Sequence, residues 1–237
     1  HELDTLNLAG SGRTWYGEVF DFTLTRSFNF NFHNIIKTPG ANCYVALASR
    51  SYSTTSFNIY VDDQLHKALN MPITSNSGYE YGRDRATEFD FTPKNDNLTV
   101  KLEYNRYSTG SVGYLNYIEL NVQRNLIFSG NQMNFRNVFS WEVNDKVKYE
   151  ISGASSDITV WDVTDFVNPQ KMSTNTSGSK ISFLSQTDTL REFIAFNGSE
   201  YYTPQFVEKV DNQNLHALKN IDYLIISHSK FLDEANR

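Results

Sequence analysis

The stretch Leu98-Thr99-Val100-Lys101-Leu102-Glu103-Tyr104 alternates apolar and polar side chains at every step. Successive side chains of a β strand point to opposite faces, so this pattern predicts a strand with one buried and one solvated face. The run Pro-Lys-Asn-Asp-Asn at residues 93–97 precedes it and is typical of a turn. The strand is therefore predicted to begin at about residue 98.

Strand patterns of the same kind lie on both sides of this stretch. Phe57, Ile59 and Val61 alternate with polar residues, and residues 112–122 continue the period over a long strand. Asp62-Asp63-Gln64 predicts a turn, and residues 42–48, apolar on both faces, predict a central strand. Many alternating strands joined by polar turns are typical of a sandwich. Residues 1–124 are therefore predicted to form a jelly-roll-like β-sandwich domain.

A second group of strand patterns predicts a small β-sandwich over residues 125–204. The predicted strands cover residues 147–151, 158–163, 181–183 and 190–196. Asn168-Pro169 is a turn signal, and the polar run at residues 174–179 predicts a loop.

The last part of the chain predicts the start of a different fold class. Ile221-Asp222-Tyr223-Leu224-Ile225-Ile226-Ser227 is typical of a parallel strand buried on both faces, and residues 231–237 of the opening turns of a helix. Residues 214–219 predict one or two further helical turns. A βα pair needs a second parallel strand to close. Residues 205–237 are therefore predicted to be a linker and the first strand and helix of a truncated α/β domain.

Composition excludes several classes of function. The 237 residues are 39% hydrophobic and 14% aromatic, which is typical of a globular, β-rich chain. The net charge of −6 is opposite in sign to that of a nucleic-acid-binding surface. No run approaches the roughly 20 apolar residues of a membrane helix. Cys43 is the only cysteine, so the chain has no internal disulfide and no multi-cysteine metal site.

Two residue types, cysteine and histidine, are candidate catalytic groups. Cys43 lies in an apolar strand pattern, which favours a buried structural thiol over a nucleophile. The five histidines show no metal-ligand spacing of the HxxxH or HExxH kind. His228 follows a predicted parallel strand, at the edge where α/β proteins collect catalytic groups. We nonetheless predict no catalytic, cofactor-binding or metal-binding residue in this chain.

Two further groups of residues have both a binding and a structural interpretation. Asp62-Asp63 and Asn95-Asp96-Asn97 carry the oxygen ligands that calcium prefers, but turn formation is the favoured interpretation. A second group of aromatic residues predicts either a carbohydrate-stacking surface or, more simply, core packing: Trp15, Tyr16, Tyr79, Tyr81, Tyr104 and Tyr107.

Several stretches together resemble the gingipain-like cysteine peptidases, and within that family the PorU-type sortases of the type IX secretion system. Gly-Arg-Thr-Trp-Tyr-Gly-Glu at residues 12–18 resembles the opening of their ectodomain. Residues 112–120 with Arg124 are similar to a "YLNYIEL…R" strand, and residues 160–165 with Pro169 to a "WDVTD…P" segment. Residues 212–216 and 222–228 resemble the start of the peptidase domain.

The resemblance implies a non-catalytic amino-terminal part of a cell-surface peptidase that processes carboxy-terminal sorting signals of secreted cargo. The family's His/Cys dyad has no matching position here. The implied partners are the chain's own peptidase domain, outer-membrane secretion proteins and cargo, in a Gram-negative bacterium. The alternative interpretation is a carbohydrate- or protein-binding β-sandwich module of a surface enzyme.

Overall fold

The computed structural model describes residues 1–10, 12–76, 80–140, 145–199, 201, 203–209, 214 and 217–235. Most of its regular structure is antiparallel β sheet, as predicted. The strands are β1 Val19–Phe20, β2 Thr25–Asn31, β3 Ala41–Arg50, β4 Thr55–Val61, β5 Gln64–Met71, β6 Arg83–Phe91, β7 Asn97–Asn105, β8 Val112–Asn121, β9 Gln132–Arg136, β10 Lys146–Ser152, β11 Thr159–Asp162, β12 Gln170–Lys171, β13 Asn175–Ser177, β14 Lys180–Gln186 and β15 Glu192–Phe196. A 3-10 turn at Ser229–Phe231 leads into α1, Leu232–Ala235.

The first eight strands form a β-sandwich of two four-stranded antiparallel sheets. One sheet has the order β1-β8-β3-β6 and the other β2-β7-β4-β5. The predicted central strand is β3, which pairs with β8 on one side and β6 on the other. β4 and β5 form a hairpin around Asp62 and Asp63, whose φ angles of 48° and 63° fit a tight turn with both central residues left-handed.

The core of this sandwich lies between its two sheets, because the alternation along each strand sends one set of side chains inward. From one sheet it receives Cys43, Val45 and Leu47 of β3, and from the other Leu98, Val100 and Leu102 of β7. Phe57 and Tyr104 meet in this core with ring centroids 4.7 Å apart. The strand predicted from residues 98–104 is thus confirmed as β7, and its apolar residues form the inner face.

A second, smaller sandwich follows in the chain. Its sheets have the orders β12-β11-β15-β9 and β10-β14-β13. The rings of Tyr149 and Phe183 from one sheet pack against Phe193 from the other, each pair of centroids 5.1 Å apart. Aromatic pairs in this distance range stabilise a small core beyond the apolar area that they bury.

The two sandwiches belong to one compact unit, His1–Ser199. In the segment between them, the backbone N–H of Asn125 donates a hydrogen bond to Asn34 O at 2.9 Å. The Arg124 guanidinium donates to Asn134 O at 3.3 Å, and that of Arg136 to Asn121 Oδ1 at 3.3 Å. Glu200–Arg237 is a separate unit. The domain boundaries placed at residues 124 and 204 stay predictions.

Two predicted elements differ from the structure. The polar run at 174–179 was predicted to be a loop, but its residues Asn175–Ser177 form β13, which pairs with β14 around Gly178. An exposed edge strand has no buried face, so its sequence lacks the apolar alternation from which a strand is predicted.

The predicted strand at residues 221–227 is wrong, because the structure assigns no strand there and leaves Ile226 91% exposed. No strand occurs among the described residues of Glu200–Arg237 to supply a hydrogen-bonded neighbour. The helix predicted after it is confirmed over Leu232–Ala235, and part of the helix predicted at 214–219 falls outside the described residues. Among the helices described, none is long and apolar enough to cross a membrane.

Candidate functional site

Cys43 is a core residue rather than an accessible nucleophile. It lies on the inner face of β3, opposite Phe89 and Leu120 of the neighbouring strands, and is 0% exposed. Burial disfavours the charged thiolate and raises the pKa of the Cys43 thiol to about 12. The preferred structural interpretation of Cys43 is confirmed.

The described histidines are dispersed over the surface. The His1 ring lies 2.7 Å from Glu18 Oε1, and the His66 ring stacks on Phe89 with a centroid distance of 5.1 Å. His228 is exposed, and its Nδ1 accepts a hydrogen bond from the backbone of Lys230. His216 lies outside the described residues. Within the described part of the chain, no three His, Cys, Asp or Glu side chains converge as metal ligands would.

The acidic candidates for calcium form turns. Asp62 Oδ1 accepts the backbone N–H of Thr99 at 3.0 Å, and Asp63 bonds the Lys101 ammonium at 2.9 Å. That ammonium holds the pKa of the Asp63 carboxyl below its usual range. The Asp96 carboxylate accepts the backbone N–H groups of Asn34 and Ile35 at 3.0 and 3.2 Å. The carboxylates of Asp62 and Asp96 satisfy backbone donors and that of Asp63 pairs with a lysine, which supports the turn interpretation.

The predicted aromatic group does not form one surface. Tyr16 and Tyr104 are buried, whereas Trp15, Tyr81 and Tyr107 are exposed. Tyr79 lies outside the described residues. Among its described members, Tyr107 lies on one of the loops described next.

Three of the loops at one end of the first sandwich cover residues 21–24, 51–54 and 106–111, and we call these three loops together the loop end. The register places them together. Phe20 of β1 pairs with Gly113, Arg50 of β3 pairs with Val112, and both strands end there as β8 begins. In the facing sheet, β7 ends where β2 and β4 begin. The loops β1–β2, β3–β4 and β7–β8 therefore cross between the sheets at the same end, and so does the partly described β5–β6 loop, whose Thr74 N donates to Ser51 O at 2.8 Å.

Arg106 ties two of these loops together. Its guanidinium, with a side chain only 13% exposed, bonds the Asp21 carboxylate at 3.0 Å and the Asp21 carbonyl at 2.7 Å. It also donates to the carbonyl oxygens of Thr109 and Ser111 within its own loop. Ser111 Oγ lies 2.7 Å from Ser51 Oγ, which joins the third loop. Bonds from a charged donor are among the stronger ones in proteins, so the loop end is held in a fixed shape.

Each of the tied loops then presents an aromatic ring to solvent. Phe22 follows Asp21, Tyr52 follows Ser51, and Tyr107 follows Arg106. Their exposed fractions are 98%, 58% and 94%. Phe22 and Tyr52 were not predicted as members of this group, since they are distant in sequence from Tyr107. A signal does exist, because Tyr-Ser-Thr occurs at residues 52–54 and again at residues 107–109.

A second charged group lies in the smaller sandwich, beside a cleft of about 200 Å³. Arg191 bonds Asp188 at 2.7 Å and Asp162 at 3.3 Å, and these partners raise its pKa. Arg191 Nε is buried and has no partner among the described groups. Two carboxylates already neutralise the guanidinium, so this cluster links the ends of β11 and β15 rather than offering charge to a ligand.

The stretches that carry the family resemblance have structural roles in this fold. Tyr16 exchanges backbone bonds with Leu6, and a Cβ on Gly17 would overlap Leu3. In the "WDVTD" segment, Asp165 accepts the N–H of Val167 at 3.0 Å and Thr164 Oγ1 accepts that of Glu192 at 3.0 Å. These contacts give Gly17, Thr164 and Asp165 roles in folding.

No protein-family model matches the chain, and no curated protein sequence matches it. A solved structure does. The crystal structure of dimeric latent PorU from Porphyromonas gingivalis superposes with a TM-score of 0.80 over 100% of this chain, at 23% sequence identity. The chain has a PorU-like fold. It spans 23% of the length of that PorU chain.

Two further structures superpose more weakly. The insecticidal δ-endotoxin Cry8Ea1 from Bacillus thuringiensis has a TM-score of 0.33 and 18% identity, over 45% of this chain and 19% of its own. A cycloisomaltooligosaccharide glucanotransferase from Paenibacillus sp. has a TM-score of 0.25 and 11% identity, over 73% of this chain and 40% of its own. Scores this low carry no argument about the chain.

Proposed function

We propose that the chain is the non-catalytic amino-terminal region of a gingipain-like cysteine peptidase of the PorU type. In this proposal the whole protein acts at the cell surface of a Gram-negative bacterium and cleaves carboxy-terminal sorting signals from secreted cargo. The two sandwiches support the peptidase domain and contribute surfaces for cargo and for outer-membrane secretion proteins.

The observation that carries the proposal is the likeness to PorU over the entire chain. The likeness covers both sandwiches and the segment after them, so it does not rest on one common β-sandwich. The non-catalytic role is supported by the position of the single thiol. Cys43 is enclosed between two sheets, and peptide bonds cannot reach it without unfolding of the core.

The activity of the isolated chain tests the non-catalytic role. Peptides with basic residues and peptides with carboxy-terminal sorting signals are incubated with the wild-type chain and with Cys43→Ala, and products are followed by mass spectrometry. We expect no release of product by either protein. Turnover by the wild type that disappears in Cys43→Ala would refute the proposed role.

The coding sequence downstream of codon 237 tests the link to a peptidase. We expect an α/β domain that contains a histidine and a cysteine able to form a dyad. A downstream region with no such pair would contradict the peptidase assignment while leaving the PorU-like fold unaffected.

A further inference from the structure

The loop end combines exposed rings with a hydrogen-bonded base, a combination that packing within the chain does not require. A loop ring such as Phe22 contributes almost nothing to folding at 98% exposure. The Asp21–Arg106 ion pair directly beside Phe22 and Tyr107 fixes the loops that carry both rings. Rings presented on loops that are already ordered lose little conformational entropy when a ligand packs on them.

The chemistry between the rings is neutral and rich in hydroxyl groups. Every residue of the three loops carries a hydroxyl, apart from Asp21, Phe22, Leu24, Arg106 and Gly110. The only two charged side chains, Asp21 and Arg106, bond each other. The three loops therefore offer ring faces and hydroxyl donors and acceptors but no free charge of their own; the exposed Arg50 immediately precedes Ser51 at the end of β3.

We propose that the loop end is a binding site for a neutral glycan, with Phe22, Tyr52 and Tyr107 as stacking platforms. Sugar rings present apolar C–H faces that pack on aromatic rings, and hydroxyl groups that exchange hydrogen bonds with exposed serine and threonine side chains such as Thr23 and Ser108. An uncharged polyhydroxylated ligand matches hydroxyl-rich loops whose only two charged side chains bond each other.

Two other occupants fit these features less well. Membrane-surface sites combine an apolar face with several free lysine or arginine side chains, whereas of the two arginines at this end Arg106 is bonded to Asp21, which leaves Arg50. Protein-binding hot spots are packed together at the centre of an interface, whereas these rings are carried on three separate loops with hydroxyl groups between them.

Affinity gel electrophoresis against a panel of neutral polysaccharides tests the proposal with the full chain. The panel contains a mannan, a β-glucan, a galactan and a xylan, with hyaluronan as a charged comparison. We expect at least one neutral polysaccharide to retard the wild-type chain. Phe22→Ala and Tyr107→Ala should each weaken that retardation at least about tenfold, since each removes an apolar face that the ligand would bury.

Phe166→Ala provides the matched control. Phe166 is 87% exposed on a turn of the second sandwich, so the same type of ring is removed away from the loop end. We expect retardation of this variant to equal that of the wild type, and circular dichroism to show that all variants are folded.

Three results would overturn the proposal. They are the absence of retardation by every neutral polysaccharide, equal retardation of Phe22→Ala, Tyr107→Ala and wild type, or equal losses in Phe166→Ala and the loop-end variants. Sedimentation with phosphatidylcholine vesicles that depends on Phe22, without polysaccharide binding, would assign the loop end to a membrane surface instead.

Discussion

Gly113 lies where the first sandwich leaves no room for a side chain, and Gly113→Ala should reveal this. An added Cβ would lie 2.6 Å from Phe57 Cζ and 3.1 Å from Tyr104 Cδ2. Both rings are fully enclosed, and Tyr104 is held by a 2.7 Å hydrogen bond between its hydroxyl and Ser49 Oγ. Neither ring can retreat without disturbing the core. Overpacking of this kind costs about 1–3 kcal/mol of the free energy of unfolding.

Gly110→Ala is the matched control, because the same methyl group would meet nothing nearer than Ser108 Oγ at 3.8 Å. A glycine replaced without strain raises stability by about 0.4–1 kcal/mol, through the unfolded chain. Urea unfolding followed by far-ultraviolet circular dichroism compares the two variants with the wild type. We expect Gly113→Ala to be destabilised and Gly110→Ala to be equal or slightly more stable. A Gly113→Ala protein within about 0.5 kcal/mol of the wild type would refute the steric argument.

Three further predictions concern Cys43, His66 and the segment after the sandwiches. With its pKa raised to about 12, the Cys43 thiol should react with a soluble thiol reagent only as fast as the protein unfolds, so stoichiometric labelling of the native chain within seconds would contradict its burial. Cys43→Ser should cost about 1–3 kcal/mol of stability in urea unfolding, since it buries a hydroxyl without an assured partner. Burial, with a smaller contribution from Lys94 and an opposing one from Asp62, lowers the pKa of His66 in the folded state. The neutral His66 side chain therefore contributes fully to the free energy of unfolding above the usual histidine pKa of about 6.5. This contribution is lost as the pH falls through the lowered pKa of His66 in the folded protein. The urea midpoint of the wild type should then fall more steeply with acidification than that of His66→Gln, and parallel curves would show that His66 is not the group responsible. Amides of residues 222–226, exposed and outside any strand, should exchange hydrogen faster than those of residues 45–48 in β3, and equal protection would mean that this segment is a paired strand in solution.

Sequence periodicity predicted the strands that bury one face. β4, β7, β10 and β14 all carry an alternating apolar face, and each was expected where it occurs. β13 was missed because an exposed edge strand has no face to bury and its Asn-Thr-Ser sequence is also what a loop would use. The run at 221–227 failed for the opposite reason. It has the apolar residues of a strand, but a strand also needs a hydrogen-bonded neighbour, which local sequence does not specify.

The loop end was beyond sequence reasoning for a geometric reason. Phe22, Tyr52 and Tyr107 become neighbours only when β1, β3 and β7 end at the same side of the sandwich. Composition could not show which aromatic residues are buried and which are exposed. Tyr104 and Tyr107 are three positions apart, yet one is in the core and the other is almost fully solvated. The burial of Cys43, in contrast, was readable because its whole surrounding strand is apolar.

The lengths of the edge strands affect how copies of the chain can associate. Three of the four sheets end on one side in a strand of two or three residues: β1, β12 and β13. Unpaired backbone groups on an edge strand can form hydrogen bonds with a strand of another molecule. An edge strand this short offers that second strand only two or three residues to pair with. The side chains of β13, Asn-Thr-Ser, add no apolar area to such an encounter. Intermolecular sheet growth is therefore disfavoured along these three edges, and pairing between sheets of two copies would have to use a longer edge strand such as β2, β5 or β6.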